Sequence, residues 1–335
     1  MAKRRGKLQT DLEYAAVRVL LASLGALPRP AAVRLGRAFG RLAYLLAGGL
    51  RRTGMRNLEL AFPEMPAAER ARVLRRSLAT LGRQLGEFSQ FPRATPAEIA
   101  RLVEYDGIEI LREAKARGRG IIFLTGHLGA WEVLSFAHSA LHEPISFMVR
   151  RLDNPRVETF VDGIRTRFGN KSIDKKMAAR SALKLLRDGG TLGILADLNT
   201  QPNEGVFVPF FGRPACTTSG IAVLALRTDA SVIPVVAPWD EAAGRWVFRG
   251  SPVVELIRTG DHERDVEVNT ARFTAALEAQ IRKYPDQWLW IHKRWKTRPP
   301  GEPDLYAKNT NSPLPPEIAS PTAPDGPLNT KMQKL

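Results

Sequence analysis

Four short apolar runs, Ile121 to Leu124, Ile145 to Val149, Leu192 to Ala196 and Ser231 to Val236, are separated by stretches of helical periodicity at Trp131 to Leu141, Val157 to Phe168, Ala178 to Asp188 and Ser219 to Thr228. Short, nearly continuous apolar runs suit strands covered on both faces, and strands that alternate with helices at this spacing return parallel to one another. The pattern predicts an α/β fold with a largely parallel central sheet flanked by helices. With 335 residues and 44% hydrophobic content, the chain is long enough to bury a large core, which excludes wholesale disorder.

Ahead of the first run, Ala67 to Phe88 reads as a polar, arginine-rich helix that begins after Pro63 and Pro66, and a second helical piece from Pro96 to Arg117 is interrupted near Gly107. The first 56 residues differ in kind. They hold 12 Lys and Arg against 2 acids, ten of the sixteen net positive charges of the chain. Arginines interrupt the apolar stretches Val19 to Leu27 and Leu42 to Leu50 before either reaches the ~18 residues of a membrane span. Arg18 and the Ala-Leu-Pro-Arg-Pro that follows also argue against a cleaved signal peptide, so a retained helix is expected. From Ala31 to Leu50, Arg34, Arg37 and Arg41 share one helical face while Leu35, Phe39, Leu42 and Leu46 share another. That periodicity fits an interfacial membrane helix, and equally an ordinary surface helix with its arginines in water. The domains expected are therefore a basic amphipathic membrane-associating segment over 1–56, an α/β domain over 57–299, and a proline-rich tail over 300–335 that cannot build a core and is expected to be disordered.

Cys216 is the single cysteine, so no internal disulfide is possible; with no histidine near it in sequence it reads as a small buried residue. The chemistry-bearing candidate is Leu124-Thr125-Gly126-His127-Leu128-Gly129-Ala130-Trp131-Glu132. It places a histidine just past the carboxyl end of a buried strand, where α/β sheets bind ligands, between glycines that admit a substrate to the backbone. A histidine there can serve as general base if a carboxylate fixes its tautomer through the other ring nitrogen. Spacing alone does not select it, because His138 with Glu143 and His262 with Glu267 repeat the same offset. Context does: only His127 follows a strand, and Glu132, five residues on, meets it only if His127 sits ahead of the helix. A loop histidine bonded to a backbone carbonyl is the bland alternative.

Gly-His-Leu-Gly-Ala-Trp-Glu (126–132), Arg150 with Leu152-Asp153-Asn154-Pro155, Gly205-Val206-Phe207-Val208-Pro209-Phe210-Phe211-Gly212 and Pro285 through Lys296 resemble the bacterial lipid A late acyltransferases, the lauroyl and myristoyl transferases, which are lysophospholipid acyltransferase-like. The resemblance includes Arg56-Asn57-Leu58 with Ala61-Phe62-Pro63-Glu64 and runs from the N-terminal helix to about Pro299. It implies a glycerolipid-acyltransferase-like fold and an O-acyltransferase on the cytoplasmic face of a bacterial inner membrane. The enzyme would move a fatty acyl chain from an acyl-carrier protein or coenzyme A thioester to a hydroxyl of a lipid A precursor. On that resemblance His127 is the general base, Glu132 orients it, and Arg150, Arg165 and Asp197 bind substrate. No metal, cofactor or covalent intermediate is needed, since a thioester is already activated.

The sequence departs from the family in three places. Leu198 follows Asp197 where Gln is usual, Ala130 replaces a frequent Asn, and Ala237-Pro238-Trp239 lacks an arginine; these affect the acceptor more than the chemistry. Phe207, Phe210 and Phe211 fit either an acyl groove or core packing, and Trp288 and Trp290 are expected to pack as a terminal strand. Other readings remain: another glycolipid or lysophospholipid as acceptor, a hydrolase that uses water, or a non-catalytic membrane protein. A nucleic-acid partner is not expected, because no base-reading module is present.

Overall fold

A computed structural model describes residues 6–174 and 178–307. Three helices open the chain: α1 (Lys7–Ala26), α2 (Arg29–Leu46) and α3 (Gly48–Ala61). The helix expected to run from Ala31 to Leu50 is therefore broken at Ala47. The helix α4 (Ala67–Phe88) has the predicted bounds. It crosses α2 at backbone distance: a Cβ on Gly36 would lie 2.1 Å from the Gly82 carbonyl oxygen, and one on Gly40 would lie 2.0 Å from that of Leu78. Small residues four apart on both helices permit this approach, so α2 is packed backbone to backbone against α4. No helix among the described residues is long and apolar enough to cross a membrane.

The sheet follows. Its strands are β1 (Val103–Asp106), β2 (Ile121–Thr125), β3 (Ser146–Val149), β4 (Lys171–Asp174), β5 (Thr191–Leu195), β8 (Ser231–Val236), β9 (Trp239–Asp240) and β10 (Arg245–Gly250). Among the described residues the order is β1-β10-β8-β2-β5-β3-β4, with β9 beside β10. The strands β8, β2, β5, β3 and β4 are mutually parallel, and β10 runs antiparallel to β8. The largely parallel sheet is thus present, with β2 and β5 at its centre. The helix predicted across Gly107 resolves into α5 (Pro96–Leu102), β1 and α6 (Ile108–Ala116). Thr95 and Glu98 form a capping box on α5, and Gly107 takes the positive φ (87°) that turns the chain into α6.

The remaining helices are α7 (Trp131–Leu141), α8 (Pro155–Arg165), α9 (Ala178–Arg187), α10 (Gly220–Thr228) and α11 (His262–Lys283). Asn154 caps α8 by accepting from the backbone N–H groups of Arg156 and Val157, and its amide donates to Thr10 O, tying α1 to α8. The Gly205-to-Gly212 motif forms a hairpin of β6 (Gly205–Phe210) and β7 (Arg213–Thr218). Phe211 and Gly212 both take positive φ, 51° and 68°, as a two-residue turn of this hand requires.

Phe210 and Phe211 pack with Trp288, Trp290 and Trp295 in one buried aromatic cluster, which assigns these phenylalanines to the core rather than to a groove. Trp288 and Trp290 are buried as expected, but on a turn-rich segment: the Trp290 N–H donates to Trp288 O, so no terminal strand forms. Cys216 is buried. The tail expected to leave the fold at 300 stays docked further, because Leu305 is buried and the Tyr306 hydroxyl donates to Asn57 Oδ1. Residues 308–335 lie outside the described residues.

Candidate active site

The register of the two central strands creates the site. Thr125 of β2 pairs with Leu195 of β5, so residues two beyond each, His127 and Asp197, emerge side by side at the carboxyl edge of the sheet. His127 Nδ1 lies 2.9 Å from Asp197 Oδ1. The other carboxylate oxygen accepts from the His127 backbone N–H at 2.6 Å and from Trp288 Nε1 at 2.7 Å. Asp197's side chain is 0% exposed. Burial pushes its pKa up, but the His127 charge and the hydrogen bonds from His127 and Trp288 outweigh it and hold the carboxyl below the ordinary carboxylate value. An ionised Asp197 keeps the proton on Nδ1 and leaves Nε2 as the basic nitrogen.

Glycine lets this pair form. A Cβ on Gly126 would lie 2.9 Å from Asp197 Cγ, and one on Gly129, at φ 64°, would lie 1.9 Å from the Ala237 carbonyl oxygen. The surrounding backbone is fixed from three sides. Gln84 on α4 donates to Gly129 O and accepts from the Glu132 N–H, and Ser77 on the same helix donates to Trp288 O. Asn57 on α3 donates to the carbonyls of Trp290 and His292, so the Arg-Asn-Leu motif clamps the segment that carries Trp288. Beneath it Arg294 is fully buried, bonded to Cys216 O and Thr217 Oγ1; burial lowers its pKa to about 10, which leaves it charged at neutral pH.

Glu132 does not serve His127. Its carboxylate is held by both guanidinium arms of Arg165, with Arg165 Nε donating at 2.9 Å. The carboxylate that meets His127 is that of Asp197, expected from the resemblance to bind substrate, and not that of Glu132, expected to orient the histidine. The reason is topological: Glu132 begins α7 and faces the end of α8, whereas the neighbouring strand supplies a carboxylate at the height of His127. Burial works against the Arg165 charge, but the Glu132 hydrogen bonds and charge, with Glu158 and Asp162, more than offset it and raise its pKa. Arg150 is 84% exposed and pairs with Asp153 at 3.3 Å.

His127, Glu132, Arg150 and Arg165 line one cavity of 490 Å³ that extends away from His127 along the face of the sheet. Phe123 of β2, Phe147 of β3, Ile233 and Val235 of β8 and Phe248 of β10 form its apolar wall, with Gly193 of β5 leaving room between them. Away from His127 it is lined by Tyr105, Leu111 and His138. Burial, with the charges of His142 and Lys115, lowers His138 to about 4, so it is neutral there. His292 also lines the mouth and accepts from the Asn199 N–H; burial brings it to about 4 despite Asp197. Sequence reasoning missed His292 and the Trp288 indole donor. Only their presence in the closing motif pointed to them, since tryptophan spacing does not reveal a hydrogen bond to a residue 91 positions away.

A model of the bacterial lipid A biosynthesis acyltransferases matches residues 2–297. The chain is 31% identical over 287 residues to a lipid A biosynthesis lauroyltransferase of Escherichia coli K12, covering 84% of this chain and 90% of that protein. It is 31% identical over 295 residues to a lipid A biosynthesis acyltransferase of Haemophilus influenzae, covering 85% and 90%. A lipid A biosynthesis myristoyltransferase of E. coli K12 is 27% identical over 286 residues, covering 85% and 86%.

Proposed function

The chain belongs to the bacterial lipid A biosynthesis acyltransferase family and is an acyltransferase, and from that premise we propose that it moves a fatty acyl chain from an acyl-carrier protein or coenzyme A thioester to a hydroxyl of a lipid A precursor. The observation that carries this reading is the pairing of His127 and Asp197 at the mouth of a deep apolar cavity. His127 Nε2 takes the proton of the acceptor hydroxyl as its oxygen attacks the thioester carbonyl carbon. The tetrahedral intermediate collapses, the carbon–sulfur bond breaks, and the departing thiolate takes the proton back from the imidazolium. General-base assistance of this kind is worth about 10² to 10⁴ in rate. The reaction needs no metal, cofactor or acyl-enzyme, because the thioester is already activated.

The cavity suits the acyl chain, since each buried methylene contributes about 0.8 kcal/mol and the wall is built of Phe and Ile side chains. Arg150 is the exposed cation at the rim for an acceptor phosphate, and Arg165, held by Glu132, supplies positive potential beside the developing oxyanion. Leu42, Leu45 and Leu46 on α2 and Leu12 and Val19 on α1 are exposed, Leu46 by 75%, and support docking on the cytoplasmic face of an inner membrane through these helices.

Purified protein incubated with an acyl-carrier-protein thioester and a lipid A precursor is expected to yield the acylated precursor, read by mass spectrometry. The His127→Ala variant, with an unchanged melting temperature, is expected to yield none. Near-wild-type transfer by that variant would overturn the mechanism, and fatty acid released equally with and without acceptor would make the protein a hydrolase.

A further inference from the structure

A second cavity, of 610 Å³, opens between α2, α4, the β9 residue Trp239 and the turn that carries Asp286, and it shares no lining residue with the first. Six arginines line it, Arg37 and Arg41 from α2 and Arg72, Arg75, Arg76 and Arg83 from α4, against the carboxylates of Glu241 and Asp286. Asp286 lies 3.5 Å from Arg76, and Arg72 pairs with Glu69 at 3.2 Å outside the cavity. Among the described residues Arg37, Arg41, Arg75 and Arg83 form no ion pair. Arg83 is the telling one. It is only 8% exposed, with its guanidinium stacked 3.5 Å from the Trp239 ring centroid, and burial together with Arg37 lowers its pKa to about 10 against the opposing charges of Glu87 and Glu241. The Glu87 and Glu241 carboxylates offset only part of that burial, and Arg37, Arg41 and Arg75 add like charge beside it, so the hollow as a whole favours an anion.

Helix packing gathers these charges. The close glycine crossing of α2 and α4 brings their arginine-bearing faces together, so like charges are concentrated rather than spread. The lip of the cavity is apolar: Leu45, which lines it, is 65% exposed, and Leu42 and Leu46 flank it on the same helix. A basic hollow with an apolar lip matches a molecule that carries a phosphate next to acyl chains. The depth at which Arg83 lies favours a small headgroup over the convex surface of an acidic protein.

We propose that this cavity binds the phosphate of an anionic bilayer phospholipid, which fixes the protein on the membrane at a defined headgroup. The proposal rests on the membrane docking of α1 and α2 proposed above and adds a specific site to it.

The test is co-sedimentation of the full chain with vesicles of phosphatidylcholine alone and of phosphatidylcholine with phosphatidylglycerol. The double variant Arg37→Gln/Arg41→Gln is compared with the equally charged control Arg101→Gln/Arg264→Gln, whose residues lie outside the cavity, with melting temperatures measured for both. With about 1 kcal/mol for each arginine near an anionic surface, the cavity variant should lose roughly tenfold or more in partitioning to phosphatidylglycerol vesicles. The control should lose no more than about twofold. Equal losses in the two variants, with the wild type still bound, would overturn the headgroup site while leaving membrane docking intact. No vesicle binding by the wild type would overturn the docking itself. Retained vesicle binding with loss of carrier-protein affinity, or with a raised KM for the lipid A precursor, would reassign the cavity to that partner and overturn the proposal.

Discussion

Replacing Asp197 with Asn separates the geometry of this site from the one its sequence suggests. The substitution keeps the shape of a side chain that is 0% exposed and removes its charge. One carboxylate oxygen accepts two N–H groups, from His127 N at 2.6 Å and Trp288 Nε1 at 2.7 Å, so the amide oxygen must take that place. The amide NH2 is then left facing His127 Nδ1, which can meet it only as an acceptor. The proton moves to Nε2, and the nitrogen that should accept the substrate proton carries one already. Loss of general-base catalysis lowers the rate by about 10² to 10⁴. The lost charge-assisted hydrogen bond alone, about 1.5 to 3 kcal/mol, accounts for roughly 10- to 150-fold of this through the imidazolium. Asp197→Asn should therefore drop kcat by at least about 10². Glu132→Gln, which loosens Arg165 without touching His127, should leave kcat within about tenfold of wild type. The assay is single-turnover acyl transfer with saturating thioester, alongside circular dichroism to establish that both variants fold. A Glu132→Gln variant as inactive as His127→Ala, beside an Asp197→Asn variant near wild type, would refute the assignment. The folded pKa of Asp197 lies below its ordinary 3.8, so its charge stabilises the protein above that value and the stabilisation is lost as pH falls through the depressed pKa. The Asn variant should accordingly show a flatter loss of stability in acid.

Gly193 tests the cavity. A Cβ there would meet Ile145 and Phe147 at an ordinary 3.7 Å, so a larger side chain can enter and fill the space beside them. Gly193→Leu should shift thioester preference toward shorter chains, by about fourfold for each methylene excluded, in competition assays; an unchanged chain-length profile would show that the acyl chain lies elsewhere. His138, which lines the cavity, tests burial by its proton. Its folded pKa of about 4 lies below the ordinary 6.5, so the unfolded chain takes up the proton first and stability falls as pH drops from about 6.5 to about 4. His138→Phe should reduce the fall in melting temperature between neutral pH and about pH 5, a difference of roughly 2 kcal/mol. An identical fall in both proteins would mean that His138 is protonated in the fold.

The local texture of the chain determined much of this protein. Apolar runs placed β2, β3, β5 and β8 to within a residue or two, and helical periodicity placed α4 and α7 at their observed bounds, because burial on both faces of a strand or one face of a helix is written in neighbouring residues. Short, partly polar edge strands such as β1 and β4 carry no such signature, since their pairing depends on chain far away. The candidate histidine was legible for the same local reason: it follows a strand between glycines. Its partner was not. The offset from His127 to Glu132 repeats at two other histidines, while Asp197 meets His127 across 70 residues through the pairing of β2 with β5. Likewise, arginines on α2 and α4 belong to two separate helical patterns in the sequence, and only the glycine crossing brings them around one cavity. Periodicity is a property of neighbours in sequence, but a proton relay and a charge cluster are properties of neighbours in space, and only packing decides those.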